Sequence, residues 1–112
     1  MTTNLQSKLM TGPAEYFRAK LEYEATPYGL KRLLDDKPNN VCVLDVRDAK
    51  SYAEGHIPGA RNIPLGSLTA SLSSLPKDQT IVTYCGDITC GLSPQAALEL
   101  AQKGFRVKKG MT

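Results

Sequence analysis

Cys85 is the residue of this chain best placed for covalent chemistry. It follows an apolar, β-branched run, Ile81-Val82-Thr83-Tyr84, and precedes a glycine-containing loop that reaches a helix start at Ser93. Loop N–H groups and the positive end of a helix both stabilise a cysteine thiolate. The sequence therefore predicts that Cys85 is a nucleophile and that Ser93 supports it from the helix start.

A second polar group is expected at the same edge of the sheet. Asp45 and Arg47 finish the apolar run 41–46, which is typical of a strand buried on both faces. Ligands bind outside the carboxyl ends of parallel strands, so both residues are predicted to lie at the active edge. We expect an ion pair from Arg47 to Glu54 or Asp48 to pin the loop, in preference to direct contact with substrate.

The remaining cysteines and the single histidine allow several roles. Cys90 lies five residues after Cys85, and it is either a resolving cysteine or a residue that packs in the core. We predict no metal site, because C-x4-C lacks a second ligand pair and only His56 could add a ligand. His56 is expected to order its loop rather than act as a base, and Cys42, inside a strand, is expected to pack in the core.

The elements that must position these residues alternate between helix and strand. Such alternation predicts an α/β fold with a parallel sheet. The predicted strands are a short edge strand within 22–25 and the runs 41–46, 81–84 and 105–108. The first predicted helix begins at Thr26-Pro27, and the second begins at Asp48 and ends at Gly55. A third contains Leu65, Leu68, Leu72 and Leu75. The last begins at Ser93-Pro94 and carries a stripe of Pro94, Ala97, Leu98 and Ala101.

Composition excludes several classes of protein. The 112 residues fit one domain, and 41% hydrophobic residues suffice for one core. The net charge of +3 is weak and scattered, so no nucleic-acid partner is expected. No apolar run approaches the roughly 18 residues of a membrane span, and no signal-peptide core is found, so we expect a cytoplasmic protein without a membrane partner. Three cysteines are too few for a secreted disulfide scaffold.

Two separated motifs together resemble the rhodanese domain over about residues 22–110. The first consists of the segments 43–47, 52–60 and 62–64, which read VLDVR, YAEGHIPGA and NIP. The second consists of IVTYC at 81–85, followed by Ser93, Ala96-Ala97, Leu100 and Gly104-Phe105. Two motifs in this order at suitable spacing make the resemblance specific.

The resemblance implies a three-layer fold with a central, mainly parallel sheet flanked by helices. It also implies a sulfurtransferase, in which Cys85 takes a sulfane sulfur as a persulfide and passes it to cyanide or a thiol. The partners would be a small-molecule or protein persulfide donor and a thiol acceptor, with no metal or organic cofactor. Residues 22–112 would form the single domain after a lead-in and short helix at 1–21. The terminal helix that usually follows in the family is expected to be missing after Thr112.

The active-site loop departs from the family pattern C-x-x-G-x-R-S. Seven residues separate Cys85 from Ser93 instead of five, and no arginine lies among them. This resembles a rhodanese-like subset with a C-x-x-x-x-C loop, and it favours polysulfide or a persulfidated thiol over the dianion thiosulfate. A phosphatase-like reaction is disfavoured for the same reason, whereas a non-catalytic binding or sensing module is the alternative. The predicted substrate-binding loop consists of Gly86, Asp87, Ile88, Thr89, Cys90, Gly91 and Leu92.

Overall fold

The sheet is built around two buried strands that lie side by side. The computed structural model describes residues 12–86 and 91–110. Strand β2 (Val41–Asp45) pairs with β4 (Thr80–Tyr84) along its whole length. Because both strands are apolar at nearly every position, the sheet is covered on both faces.

Three shorter or more exposed strands complete the sheet. These are β1 (Glu24–Ala25), β3 (Arg61–Asn62) and β5 (Arg106–Gly110), in the order β1-β5-β4-β2-β3. Each of the four pairings is parallel. The predicted α/β fold with a parallel sheet is therefore confirmed, including the predicted edge strand.

Helices cover both faces of this sheet. They are α1 (Pro13–Tyr23), α2 (Pro27–Asp36), α3 (Ala49–Glu54) and α4 (Leu92–Gln102). Three short 3-10 helices span Pro38–Asn40, Leu65–Ser67 and Thr69–Ser74.

Alternate strand residues supply two separate cores. Cys42, Ile81 and Cys85 pack toward α4, together with Ala96 and Leu100. Their neighbours along the strands point the other way, because successive side chains of a strand alternate between faces. That second core contains Val43, Val82, Tyr84 and, from α2, Leu30.

Two helix starts form as the capping residues predict. The Thr26 Oγ1 accepts a hydrogen bond from the Gly29 N–H at 2.9 Å, and Pro27 occupies the first helical position. The Asp48 Oδ1 accepts one from the Ser51 N–H at 2.7 Å. The second of these helices ends at Gly55.

The leucine-rich segment 65–75 is helical, as predicted, but it forms the two 3-10 helices named above and not one regular helix. Leu75 is extended before Pro76. Serine hydroxyls explain the difference, since Ser71 and Ser74 donate to nearby backbone carbonyls and compete with regular helix bonds. The residue before a proline also avoids the helical region, which sets the end of the segment.

The buried stripe of α4 differs from the predicted one. The helix buries Ser93, Ala96 and Leu100, whereas Leu98 is 60% exposed. The stripe predicted to be buried (Pro94, Ala97, Leu98 and Ala101) instead lines an open groove of about 730 Å³ beside β5.

Candidate active site

Cys85 lies at the carboxyl end of a central strand. It follows β4 directly and is 3% exposed, in the core between the sheet and α4. Cys85 is disulfide-bonded in the structure, whereas Cys42 is free and buried in β2. The structure therefore describes an oxidised state, in which the predicted nucleophile must first be reduced.

An ion pair closes the neighbouring strand end. Asp45, the last residue of β2, is fully buried and lies opposite Tyr84. The Arg47 guanidinium donates to both carboxylate oxygens, from Nη2 to Oδ2 at 2.7 Å and from Nε to Oδ1 at 3.0 Å. The Arg47 backbone N–H donates to Oδ1 at 2.9 Å. The prediction that Arg47 pairs with Glu54 or Asp48 is thus wrong. Arg47 pairs instead with Asp45, which lies two residues earlier in the chain and is buried.

This arrangement keeps the pair charged. Burial by itself would raise the pKa of Asp45, but the hydrogen bonds from Arg47 outweigh burial and hold the pKa below its ordinary value. The same hydrogen bonds raise the pKa of Arg47 further. Removing Arg47 would leave the Asp45 carboxylate buried without a compensating charge, which is strongly destabilising to the fold.

The loop between α3 and β3 is attached to this pair. Arg47 Nη2 also donates to the Gly55 carbonyl at 2.6 Å, and the Ile57 N–H donates to the Tyr84 hydroxyl at 3.1 Å. The Arg47 guanidinium carbon lies 5.7 Å from the centre of the Tyr84 ring. The Asp45–Arg47 pair therefore pins the loop, as predicted for Arg47, but through a backbone carbonyl and through Asp45.

His56 has a structural place in the same loop. Its ring stacks on Tyr52 with centroids 3.6 Å apart, and its Nδ1 lies 2.8 Å from the Tyr52 carbonyl oxygen. The Tyr52 hydroxyl donates to the Ala60 carbonyl at 2.6 Å. These contacts agree with the expectation that His56 orders its loop.

Two hydroxyl groups join β4 to α4 on the face that carries Cys85. The Thr83 hydroxyl donates to the Ser93 carbonyl, and the Ser93 hydroxyl donates to the Thr83 carbonyl, each at 3.1 Å. Thr83 is fully buried and Ser93 is 1% exposed. Ser93 thus lies at the start of α4 beside the strand that Cys85 follows, and its hydroxyl bonds to that strand.

Sequence reasoning missed three contributors at this edge. Thr83 and Tyr84 belong to the motif at 81–85 and are predicted only as strand residues, although a hydroxyl inside an apolar strand signals a specific partner. Asn62 belonged only to the family motif, and its Nδ2 donates to the carbonyls of Asp45 and Arg47 at 3.1 and 2.9 Å.

The structure brings the predicted site residues together only in part. Asp45, Arg47, Cys85 and Ser93 lie at or beside the carboxyl ends of β2 and β4, and the exposed Gly86, Gly91 and Leu92 border the connection to α4. The predicted loop residues Asp87, Ile88, Thr89 and Cys90 lie outside the described residues. Within residues 12–86 and 91–110, no three His, Cys, Asp or Glu side chains are grouped to hold a metal ion. In that same part of the chain, no helix is long and apolar enough to cross a membrane.

Curated proteins with similar sequences come from different contexts. The chain is 41% identical over 69 residues to the HTH-type transcriptional regulator Rv0324 of Mycobacterium tuberculosis, covering 62% of this chain and 30% of the regulator. It is 33% identical over 75 residues to a sulfurtransferase of Allochromatium vinosum, covering 67% of this chain and 66% of that protein. The chain thus spans less than a third of the regulator and just under two thirds of the sulfurtransferase.

The fold and the family profile agree. The crystal structure of the BH2092 protein from Bacillus halodurans superposes with a TM-score of 0.79 at 36% identity, covering 89% of this chain and 76% of that one. The profile of the rhodanese-like domain matches residues 26–112, which include both strand ends of the candidate site. The chain therefore belongs to the rhodanese-like domain family.

Proposed function

We propose that this protein is a sulfurtransferase in which Cys85 carries a sulfane sulfur as a persulfide. The observation that carries the proposal is the position of Cys85, at the carboxyl end of a central parallel strand and directly before the connection to α4. Ligands bind at this edge in open parallel sheets. The sulfurtransferase of Allochromatium vinosum adds a relative with this activity in its name.

The reaction is an exchange of sulfur between thiols. The reduced Cys85 thiolate attacks the outer sulfur of a donor persulfide, the donor S–S bond breaks, and the electron pair leaves with the donor thiolate, which takes up a proton. An acceptor thiolate then attacks the outer sulfur on Cys85 and regenerates the Cys85 thiolate. Neither step needs a cofactor, because the persulfide itself carries the transferred atom.

The charges of the loop favour thiol-based donors. No arginine lies between Cys85 and Ser93, and the residue directly before Ser93 is Leu92. Arg47 Nε and Nη2 already bond to Asp45 and to the Gly55 carbonyl, so this side of the guanidinium is committed to the strand end. Because the loop between Cys85 and Ser93 carries no arginine that could bind a dianion such as thiosulfate in bidentate fashion, polysulfide or a persulfidated thiol is the proposed donor class.

Cys90 is proposed to resolve the persulfide. In this reaction the Cys90 thiolate attacks the inner sulfur, on Cys85, so that a Cys85–Cys90 disulfide forms and hydrosulfide leaves. Atoms and electrons balance without an external oxidant. Two observations support this role: Cys85 is disulfide-bonded, and Cys42 is free and buried in the core.

Mass spectrometry of the reduced protein after exposure to donors tests these assignments. Polysulfide should add one sulfur, about 32 Da, at Cys85. Cys85→Ser should lose the added sulfur and at least about 100-fold of the transfer rate. Cys42→Ser is the matched control, because its thiol is buried in β2, and it should load as the wild type does. Sulfur loading and full activity in Cys85→Ser would overturn the proposal.

Steady-state rates and the decay of the persulfide test the donor and Cys90. Polysulfide should exceed thiosulfate in steady-state rate, and thiosulfate faster by more than about tenfold would refute the argument from loop charge. Cys90→Ser should lengthen the life of the Cys85 persulfide and abolish release of sulfide without external thiol. Equal persulfide decay in Cys90→Ser and wild type would remove Cys90 from the mechanism.

A non-catalytic binding module is the second candidate. It is favoured by the absence of an arginine before Ser93 and by the transcriptional regulator among the similar proteins. Failure of the reduced protein to load sulfur from polysulfide, persulfidated thiols and thiosulfate alike would favour this candidate.

A further inference from the structure

We propose that Thr83 is a positioning residue for Cys85, acting through a reciprocal pair of hydrogen bonds with Ser93. The inference rests on the proposed function of Cys85 as a nucleophile. It assigns a role to a residue that lies in the motif at 81–85 but to which the resemblance gives no role.

The two hydroxyls bond as a closed ring. The Thr83 Oγ1–H donates to the Ser93 carbonyl oxygen and the Ser93 Oγ–H donates to the Thr83 carbonyl oxygen, both at 3.1 Å. The two hydroxyl oxygens are also 3.1 Å apart. Each hydroxyl thus uses its single proton on the other residue's backbone, so the ring joins backbone to backbone.

The ring lies on the same face of β4 as the proposed nucleophile. Side chains alternate along a strand, so Ile81, Thr83 and Cys85 point to one face, and both Ile81 and Cys85 belong to the core under α4. Thr83 is fully buried, two residues before Cys85. Because water does not reach the ring, its hydrogen bonds do not compete with solvent.

The ring fixes the first turn of α4 against the strand that Cys85 follows directly. Ser93 is the second residue of α4, and Thr83 lies two residues before Cys85. On the strand side, β5 packs closely against the Thr83 carbonyl, since a Cβ at Gly110 would lie 3.1 Å from its oxygen. Partial positive charge at a helix start falls off within one turn, so small displacements of α4 change how well it stabilises a thiolate.

The pH dependence of alkylation at Cys85 tests this role. The reduced full-length protein is treated with iodoacetamide across a pH series, and fragment-ion mass spectrometry assigns the label to Cys85. Thr83→Val keeps the shape but lacks the hydroxyl, and it should raise the midpoint by about half a pH unit. Thr83→Ser restores the hydroxyl and should return the midpoint to within about 0.2 units of wild type.

Ser93→Ala provides the second variant. It removes the donor to Thr83 but leaves the Thr83 hydroxyl bonded to the Ser93 carbonyl, so it should raise the midpoint by less than Thr83→Val does. Thermal unfolding of each variant monitors folding separately. A purely structural role would lower the unfolding temperature and leave the midpoint unchanged.

The outcomes separate this proposal from the sulfurtransferase proposal. A raised midpoint in Thr83→Val, rescued in Thr83→Ser, supports positioning even if Cys85 takes no sulfur from any donor. A wild-type midpoint in both Thr83→Val and Ser93→Ala overturns positioning, whatever the sulfur loading shows.

Discussion

Two connections leave the same edge of the sheet and are held in different ways. The connection after β2 is tied at several points along its length, through Arg47, Gly55 and Ile57, to a buried carboxylate and to Tyr84. The connection after β4 is tied where it rejoins the fold, by the neutral hydroxyls of Thr83 and Ser93.

This difference predicts that the first connection matters for stability and the second for the reactivity of Cys85. The first connection depends on a buried charge pair, and removing one partner of such a pair strongly destabilises the protein. In the second, the described residues Thr83 and Ser93 are joined by neutral hydrogen bonds. Removing contacts from the first connection should therefore change stability, and removing contacts from the second should change reactivity.

The largest effect is expected from Arg47→Ala. The variant leaves the fully buried Asp45 carboxylate without its partner, and the free energy of unfolding should fall by about 3–5 kcal/mol. Urea denaturation measures the change. Arg18→Ala is the matched control, because Arg18 pairs with Glu15 on the exposed surface, and it should cost no more than about 0.5 kcal/mol. Equal losses in the two variants would break the comparison.

The next effect is a dependence of stability on pH. The pKa of Asp45 is lower in the folded than in the unfolded protein, whose aspartate pKa is about 3.9. Its contribution is therefore fully present above that value and is lost as the pH falls through the folded pKa. The stability difference between wild type and Asp45→Asn should shrink as the pH is lowered from about 6 to about 3.

Denaturation curves at each pH measure this difference. The pKa of Asp48 is also lowered, by its hydrogen bonds with Ser51, but Asp48 is present in both proteins and cancels in the comparison. A difference that stays constant over the whole range would show that Asp45 does not contribute through its charge.

The smallest effect is expected from Tyr84→Phe. The ring remains, but the Ile57 N–H loses its acceptor, and the cost should be about 1 kcal/mol. Hydrogen exchange at the Ile57 amide should also become faster. Tyr28→Phe, at a 70% exposed ring, is the control and should match wild type in both measurements. An unchanged exchange rate at Ile57 would separate Tyr84 from the first connection.

The parts of the fold that the sequence predicts are those set by local rules. Buried strands and capped helix starts follow from composition and from residues such as Thr26 and Asp48, whose side chains bond to their own helix. The position of Cys85 at a strand end follows from the same patterns. These features need no knowledge of distant contacts.

The parts that fail depend on contacts between distant residues. Helix α4 carries apolar residues on more than one side, so periodicity could not choose between the stripe of Leu98 and that of Leu100. The side that is buried is the one on which Ser93 bonds to Thr83 of β4. Arg47 has three acidic residues within reach in sequence, and only the buried position of Asp45 selects its partner.

The pairing of β1 with β5 has a consequence for how this fold can be used. Glu24 lies beside Lys109 and Ala25 beside Gly110, so the entry and exit of the sheet are neighbours on one edge. A unit whose ends meet can be joined to or inserted into a longer polypeptide without stretching its host. Because the first and the last strand meet on one edge, chain can enter and leave the sheet there without a change in its strand order.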